Sequence, residues 1–341
     1  MKKLVHKDIQ ISDTADNAIC FEGVTKTFEQ WQRSGGVKNT LKNLIHPQKK
    51  TITALDDVSF NIQRGEFTAY AGSNGAGKST TIKLICGMLL PLQGSISVLG
   101  LSPAKNRITL MKNIGVMFGN RTELWWDHPV KQSFEWKREV WDIPKERYEK
   151  TFDRLVELLD IGGILHTFAR ELSLGQRMKA DLAMTLLHEP ELILLDEPTI
   201  GLDVLAKRQM ISFLKELNKE RGTTILVTSH DMDDLEEMAR RIIMIEKGKI
   251  AFDGSFDNLR TTTGSICRIS LETKSDIPPV FKNATLLSHE VNRFEYEFDM
   301  NLISMSMVLS QIGEVEGIVD VEIKKAPIED VIAGLYLKWK E

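Results

Sequence analysis

The sequence predicts an α/β domain built on a parallel β-sheet and followed by a small α+β domain. Two continuous apolar segments, LILLDEP and TTILVTS, are typical of parallel strands that are buried on both faces. The segment VLAKRQMISFLKELNKERG between them has helical spacing and is closed by Gly222. From about Ser265 the pattern changes to strand-like segments, CRISLETKS and RFEYEFD, and helix-like segments, LISMSMVLSQIG and PIEDVIAGLYLKW.

The N-terminal half alternates strands and turns. After an N-terminal extension at 1–17, AICFEGVTKTF at 18–28 predicts a strand, and residues 29–51 form a polar, basic insertion. ALDDVSFNIQRGEFTAYAG predicts a strand, a glycine turn and a second, buried strand. TTIKLICGMLL then has the apolar spacing of a helix, and GSISVLG predicts a further short strand.

A helical insertion interrupts this alternation. From Val130 to Ala169 the sequence is charged, poor in glycine and apolar at helical spacing, so we predict a helical subdomain over about 120–175. IIMIEKGKIAFDG predicts a hairpin that turns at Lys247–Gly248. We place the end of the large domain, 18–258, after this hairpin, and assign 259–341 to the small C-terminal α+β domain.

The composition limits the possible functions. Of 341 residues 42% are hydrophobic and 27% charged, which suits a globular chain, and the net charge of −4 argues against a general nucleic-acid-binding protein. Cys20, Cys86 and Cys267 are far apart, so we expect no disulfide framework or zinc site, and a reducing compartment. No apolar run reaches about 18 residues, and no secretory signal is expected, so any membrane role requires a partner.

The segment Gly72–Ser79, GSNGAGKS, fits the pattern GxxxxGK[ST] between a predicted strand and a predicted helix. Its glycines let backbone N–H groups and the helix N-terminus face phosphate oxygens. Lys78 would reach the β- and γ-phosphates, and the Ser79 hydroxyl would bind Mg²⁺. A chance glycine turn is the alternative, but the strand–loop–helix context favours binding of MgATP.

Two carboxylates, Asp196 and Glu197, follow the apolar segment LILL. They end a buried strand at the edge where open α/β sheets bind their ligands. Asp196 would hold Mg²⁺ through water, and Glu197 would be the general base that polarises the attacking water. Taken alone, the pair also fits a solvated acidic turn, whereas beside the glycine loop it predicts ATP hydrolysis.

The segment LSLGQ at 172–176 precedes the predicted helix RMKADLAMTLL. Taken alone, it fits a helix start that is capped by Ser173. In the order glycine loop, LSLGQ, acidic pair and histidine, however, the chain resembles the ATP-binding-cassette (ABC) family of nucleotide-binding domains over about residues 18–255. LSLGQ is similar to the family signature LSGGQ, with Leu174 in place of its first glycine.

The resemblance implies a P-loop NTPase fold, with a RecA-like mixed sheet core, an antiparallel β subdomain and a helical subdomain. His230 matches the switch histidine, which joins Glu197 in catalysis, and Asp203 of Ile200–Asp203 lies in the D-loop, which communicates across a dimer. The residues assigned to ATP are Phe28, Gly72, Ser73, Asn74, Gly75, Ala76, Gly77, Lys78, Ser79 and Thr80. The signature residues, which act in trans, are Ser173, Leu174, Gly175 and Gln176.

Three of these positions keep an alternative. Phe28, the aromatic that would stack on adenine, also fits core packing, and Trp31 is a second candidate. His230 would otherwise be a structural surface residue. The family usually has a glutamine after the strand IGVMF that senses Mg²⁺ and the membrane partner, whereas this chain has Asn120 nearby. Asn120 therefore stays a candidate metal contact beside Ser79 and Asp196.

The resemblance also implies partners. Two cassettes, copies or relatives, would pair head to tail, with each ATP between the glycine loop of one and the signature of the other. ATP would close the dimer, and hydrolysis would release it. The expected cofactors are ATP and Mg²⁺, and the further partners are transmembrane permease subunits. The expected location is the cytoplasmic face of the membrane, bound through the permease, without a nucleic-acid partner.

Three segments, FGNRTELWWDHPV, LSLGQRMKADLA and DEPTIGLDVLAK, are similar to a bacterial subgroup that serves type-2 ABC exporters. Trp125 and Trp126 would dock the membrane subunit or fill the helical core. The insertion at 29–51 would meet anionic lipid or be a solvated loop.

A soluble ABC ATPase that acts on nucleic acid or ribosomes is the alternative, although such proteins usually carry two cassettes or a long coiled coil. Glu197 and His230 argue against a non-hydrolysing regulatory cassette.

Overall fold

A computed structural model describes residues 16–31, 49–119, 121–262, 266–325, 328 and 331–332. These residues form two compact units, and the division falls between Asp253 and Gly254. Within the described part of the chain, no helix has the length and apolar character needed to cross a membrane.

The larger unit contains two sheets and a set of helices. Its strands are β1 (Asn17–Trp31), β2 (Lys49–Gln63), β3 (Phe67–Gly72), β4 (Gln93–Val98), β5 (Ile114–Phe118), β6 (Leu192–Asp196), β7 (Thr224–Thr228), β8 (Arg241–Glu246) and β9 (Lys249–Ser255). Its helices are α1 (Lys78–Ile85), α2 (Arg107–Met111), α3 (Val130–Val140), α4 (Lys145–Leu158), α5 (Leu174–Leu186), α6 (Val204–Arg221) and α7 (Met232–Met238).

The central sheet has the strand order β5-β6-β7-β3-β8-β9, and its first five strands are parallel. The apolar segments of β6 and β7 are buried, as the sequence predicts for strands that are covered on both faces. Because the strands are parallel, the loops that follow β3, β5, β6 and β7 meet at one edge. The glycine loop Gly72–Ser79 and the acidic pair Asp196–Glu197 therefore lie along that edge.

A second sheet, in the order β2-β1-β4, is antiparallel. Phe21 and Phe60 stack across it with ring centroids 4.6 Å apart, and both belong to one buried cluster with Tyr70 of the central sheet. The helical subdomain is built from α3 and α4, where Phe134 and Phe152 pack edge to face at 5.2 Å. The predicted cassette fold, with a parallel core, an antiparallel subdomain and a helical subdomain, is confirmed.

The smaller unit contains a four-stranded antiparallel sheet in the order β11-β12-β10-β13. Alternate residues of β10 and β12 are buried beneath α9, which begins after a Ser304 cap. The predicted α+β character is confirmed, while the sequence prediction missed β11 and β13. The elements are α8 (Phe256–Thr262), β10 (Ile266–Thr273), β11 (Ala284–Glu290), β12 (Arg293–Asp299), α9 (Met305–Gly313) and β13 (Ile318–Lys325).

Two sequence predictions about element boundaries are wrong. The helix predicted from TTIKLICGMLL stops at Ile85, because the chain turns at Gly87 with φ +63, where a Cβ would lie 2.5 Å from the carbonyl oxygen of Pro103. The ends of the predicted basic insertion are strand, since residues 29–31 of β1 pair with residues 49–51 of β2. Residues 32–48, residues 1–15, Asn120 and most of PIEDVIAGLYLKW lie outside the described residues.

Candidate functional site

The loop from Gly72 to Ser79 joins β3 to α1, and its glycines are required by close packing. A Cβ on Gly72 would lie 2.2 Å from the carbonyl oxygen of Ile245, and one on Gly77 would lie 2.7 Å from that of Ala54. Gly77 also has φ +123, which side chains rarely adopt. The loop therefore fits closely against β2 and β8, and its backbone curves as a phosphate cradle must.

Lys78 lies inside the curve of this loop. Its ammonium donates to the carbonyl oxygens of Gly72 and Ser73, at 2.6 and 3.3 Å, and the side chain is buried. Burial lowers the pKa of Lys78, while the carboxylates of Glu197 and Asp196 oppose that shift. A buried ammonium that faces two carboxylates is suited to bind an anionic ligand that enters between them.

A cleft of about 310 Å³ opens in front of the loop, at the carboxyl edge of the sheet. Residues of the cradle and the acidic pair line this one space, so the structure brings the two predicted motifs together. The residues that line it are Ala54, Asn74, Gly75, Gly77, Lys78, Ser79, Thr80, Gly119, Asp196, Glu197 and Ile200.

The acidic pair is held by Thr228 of the neighbouring strand β7. The Thr228 hydroxyl donates to Asp196 Oδ1 at 2.6 Å, and the Thr228 carbonyl oxygen accepts from the Glu197 N–H at 3.0 Å. Glu197 has φ +58, a strained conformation for a side chain of this kind. Such strain is common at functional sites, and here it coincides with the predicted general base.

His230 follows β7 and faces Glu197, with 3.5 Å between His230 Nδ1 and Glu197 Oε1. His230 is 60% exposed and Glu197 is 29% exposed, so both side chains are accessible to solvent. The segment after Glu197 is fixed to α7, because Thr199 donates to Asp234 at 2.8 Å. The structure thus brings the two predicted catalytic residues together.

The signature begins α5. Ser173 caps this helix in a reciprocal arrangement, in which its hydroxyl accepts from the Gln176 N–H and its own N–H donates to the Gln176 side chain. Asp203 caps α6 in one direction only, because its carboxylate accepts from the Ala206 N–H at 2.9 Å. The residues that line the cleft within the described chain include none of Ser173–Gln176.

Two further residues predicted for the ATP site, Phe28 and Asn120, are not among the described residues that line the cleft. Phe28 lies on β1 opposite Ile52 of β2, and it is 38% exposed with the Lys26 ammonium 5.5 Å from its ring centroid. Asn120 lies outside the described residues, but its neighbour Gly119 lines the cleft and its N–H donates to the Asp196 carbonyl oxygen at 2.7 Å. The loop after β5 therefore starts at the acidic pair.

Sequence reasoning missed three contributors. Thr228 lies in the predicted strand TTILVTS, but nothing in the sequence shows that its hydroxyl faces the neighbouring strand. Trp136 joins the predicted tryptophan pair, with its ring centroid 5.0 Å from that of Trp125. Asp181, a buried carboxylate on an apolar helix, was the one detectable signal, since buried acids usually have a specific partner.

Asp181 joins the signature helix α5 to the loop that follows β5. Its Oδ1 accepts from the Thr122 hydroxyl at 2.8 Å and from the Glu123 N–H at 2.9 Å. Its Oδ2 has no hydrogen-bond partner among the described residues. Burial raises the pKa of Asp181 to about 6, although the two hydrogen bonds oppose that shift. Between about pH 4 and 6 the folded protein therefore holds a proton here that the unfolded chain would release.

We expect this group to make stability fall as pH rises. Because the folded pKa lies above the unfolded value of about 4, the folded state binds the extra proton, and the loss reaches about 1.4 kcal/mol per pH unit between about pH 4 and 6. Asp181→Asn removes this term and retains an oxygen for Thr122. Urea unfolding from pH 4.5 to 7.5 should show Asp181→Asn gaining on the wild type as pH rises. Parallel curves, like those expected for the exposed Asp153→Asn, would contradict this.

Comparison with known proteins gives consistent matches. Residues 55–200 match the family model described as ABC transporter. The chain is 35% identical over 214 residues to the uncharacterized ABC transporter ATP-binding protein YhcH of Bacillus subtilis, which covers 63% of this chain and 67% of YhcH. It is 31% identical over 212 residues to the ABC transporter ATP-binding protein NatA of the same organism, covering 62% and 86%.

Other matches extend the comparison. The chain is 32% identical over 212 residues to the probable multidrug ABC transporter ATP-binding protein YbhF of Escherichia coli, which covers 62% of this chain and 36% of YbhF. Among solved structures, cbiO1 of Clostridium perfringens, part of the ABC transporter complex cbiONQ, has a TM-score of 0.58 at 26% identity, covering 70% and 89%. The dimeric bacterial cassette MJ0796 has a TM-score of 0.56 at 25% identity, covering 70% and 98%.

Proposed function

This chain belongs to the family of ABC transporter ATP-binding proteins, and on that premise we propose that two cassettes hydrolyse MgATP at shared sites to drive export. The chain is an ABC-type ATPase cassette that binds ATP as a subunit of a transporter. One observation carries the proposal of shared sites. The cleft is lined by the cradle and the acidic pair, whereas its lining among the described residues includes none of the signature Ser173–Gln176. A second cassette, a copy or a relative, supplies the missing signature.

The residues present fit Mg²⁺. Ser79 and Asp196 line the same cleft, and hydroxyl and carboxylate oxygens are the ligands that Mg²⁺ prefers. The described residues offer no cluster of three or more His, Cys, Asp or Glu side chains for a metal. Phosphate oxygens and water would therefore complete the set of ligands around Mg²⁺. The ion would neutralise charge on the phosphates. Asn120, as a third contact, stays part of this proposal.

The chain's own residues divide the reaction between them. Lys78 and the loop N–H groups hold the β- and γ-phosphates, and Phe28 stacks on adenine. Glu197 accepts a proton from the attacking water, and His230, 3.5 Å from the Glu197 carboxylate, orients that water and contacts the γ-phosphate. Ser173 and Gly175 of the partner cassette donate to the γ-phosphate and complete the site. Asp203 communicates between the two cassettes.

We infer that the permease docks beside the tryptophans after β5. Trp125, Trp126 and Trp136 are 37%, 51% and 43% exposed, and exposed aromatics of this kind concentrate at interfaces. The backbone N–H of Trp125 donates to the Ser133 hydroxyl at 3.0 Å, which fixes the loop to α3. The permease is an exporter on separate chains, and the cassette lies on the cytoplasmic face of the membrane.

Purification from detergent-solubilised membranes tests this proposal. The tagged wild type should retain a transmembrane permease, and the double variant Trp125→Ala/Trp126→Ala should lose it while it still folds and still binds ATP. Ile108→Ala, which also removes an exposed apolar side chain, is the control and should retain the permease. If the wild type brought no membrane protein with it, the transporter role would fail. If the tryptophan variant retained the permease, the docking site would be wrong.

A further inference from the structure

Leu174, the residue that departs from the family signature, packs against the D-loop of the same chain. A Cβ built on Gly201 would lie 2.6 Å from Leu174 Cδ2, a separation that real Cβ atoms essentially never show. A side chain at position 201 would therefore displace the end of the Leu174 side chain from its contact with the D-loop. Gly201 also has φ +69, so its backbone conformation favours glycine for a second reason.

A second contact lies one residue further along each segment. A Cβ on Gly175 would lie 3.7 Å from Ala206 Cβ and 3.8 Å from Leu202 Cδ2, which is ordinary van der Waals contact. The start of α5 therefore packs against the start of α6. The side chains that cap these helices, on Ser173 and Asp203, bond within their own helices. The two starts thus meet through apolar packing, in which Leu174 and Leu202 are the largest side chains.

The D-loop is also joined to the catalytic residues of the same chain. Gly201 lies four residues after Glu197, and the intervening Ile200 lines the ATP cleft. A Cβ on Gly119 would lie 3.2 Å from Ile200 Cγ2 and 2.5 Å from the Glu197 carbonyl oxygen, so this segment is closely packed from the sensor loop onward. A shift at Glu197 would therefore move Gly201, and with it the leucine.

We propose that Leu174 and Gly201 form a matched pair that couples the two ATP sites of the dimer. The pair transmits the position of a chain's own catalytic segment to the signature that the chain offers to the other site. Leu174 is thus a positioning residue, and the glycine at 201 makes room for it. This inference rests on the proposed sharing of sites between two cassettes.

A double-mutant cycle in full-length Glu197→Gln protein tests the pair. The measured quantity is the dissociation constant of the ATP-bound dimer, from sedimentation velocity, for the parent, Leu174→Ala, Gly201→Ala and the double variant. We expect each single change to weaken the dimer about tenfold, because each disturbs the packing of the signature on the D-loop. The dimer dissociation constant of the double variant should exceed that of either single variant by less than about threefold, since the two changes disrupt one contact.

Gly222→Ala is the matched control. Gly222 has φ +62 at the end of α6, and no heavy atom lies within 4 Å of a Cβ built there. It therefore carries the backbone cost of Gly201→Ala without the clash. It should lower the melting temperature by no more than Gly201→Ala does, and it should leave the dimer dissociation constant within about twofold of the parent value. In protein that retains the native Glu197 and so hydrolyses ATP, the Hill coefficient for ATP turnover should fall in both single variants, Leu174→Ala and Gly201→Ala. It should stay unchanged in Gly222→Ala.

Two results would overturn the coupling. If the fold-change in the dimer dissociation constant of the double variant equalled the product of the two single fold-changes to within about twofold, the two residues would act independently. A dimer constant for Gly201→Ala equal to that of Gly222→Ala would show that the contact with Leu174 has no role. If the parent itself stayed monomeric with ATP, the proposed shared sites would fail first, and the coupling with them.

Discussion

Replacing Glu197 with glutamine should reduce ATP turnover by roughly 10³-fold while ATP binding is retained. Glutamine keeps the size of the side chain and its hydrogen-bonding reach, but it cannot accept the proton of the attacking water. The Lys78 cradle is unchanged, so nucleotide still binds. Because hydrolysis no longer releases the partners, the variant should accumulate with ATP as a closed dimer.

Two measurements on one preparation check this result. Phosphate release gives turnover, and gel filtration with and without ATP gives the fraction of dimer. Glu191→Gln is the control, because Glu191 immediately precedes the opposite, N-terminal end of β6 and its side chain pairs with Arg64. Turnover like that of the wild type in Glu197→Gln would remove Glu197 as the base, and His230 would then be the residue to test.

Replacing Lys78 with alanine should weaken ATP binding by roughly 100-fold. The change removes the ammonium that lies inside the loop, and charge-assisted hydrogen bonds of this kind contribute up to about 3 kcal/mol, or about 150-fold. Lys83→Ala is the matched control, since Lys83 is an exposed lysine on the same helix α1. Fluorescent ATP titration should separate the two variants, and equal affinities would contradict the cradle.

Loss of the Lys78 ammonium should not unfold the protein. The group is buried and its pKa is lowered by that burial, so its removal relieves a desolvation cost while it frees two carbonyl oxygens of the loop. The melting temperature of Lys78→Ala without nucleotide should therefore lie close to that of the wild type. The stabilisation that ATP gives the wild type should be absent, because a ligand stabilises only the state that binds it.

The sequence predicted the parts of the fold that depend on local pattern. The apolar segments of β6 and β7 and the closure of α6 at Gly222 are local features, and each was located correctly. Helix α1 was predicted too long, because its end depends on a contact of Gly87 with Pro103, distant in sequence. The strands β11 and β13 were both missed, although for different reasons. ATLLSHE has no regular alternation, whereas IVDVEIKK does alternate apolar and charged residues, a signal from which β13 could have been predicted.

The residues of the candidate site also fall into two groups, those that a local pattern predicts and those whose roles depend on contacts between distant segments. Lys78, Asp196 and Glu197 were predicted because each follows a strand at a fixed distance in a recognisable pattern. Thr228 and Asp181 were missed because their partners lie on other elements, 32 and 59 residues away along the chain for Asp196 and Thr122. The fit of Leu174 against Gly201 also depends on a contact between distant segments, which one sequence cannot reveal.

Mixing two inactive variants tests the shared site most directly. Lys78→Ala keeps its signature, and Gly175→Asp keeps its cradle but places a carboxylate toward the partner's phosphates. A Cβ at Gly175 meets its nearest atom at 3.7 Å, so this variant should fold. Each variant alone should be nearly inactive. An equal mixture should recover about a quarter of wild-type turnover, because about half of the dimers are mixed and each has one complete site. No recovery in a mixture shown to contain mixed dimers would contradict the shared site.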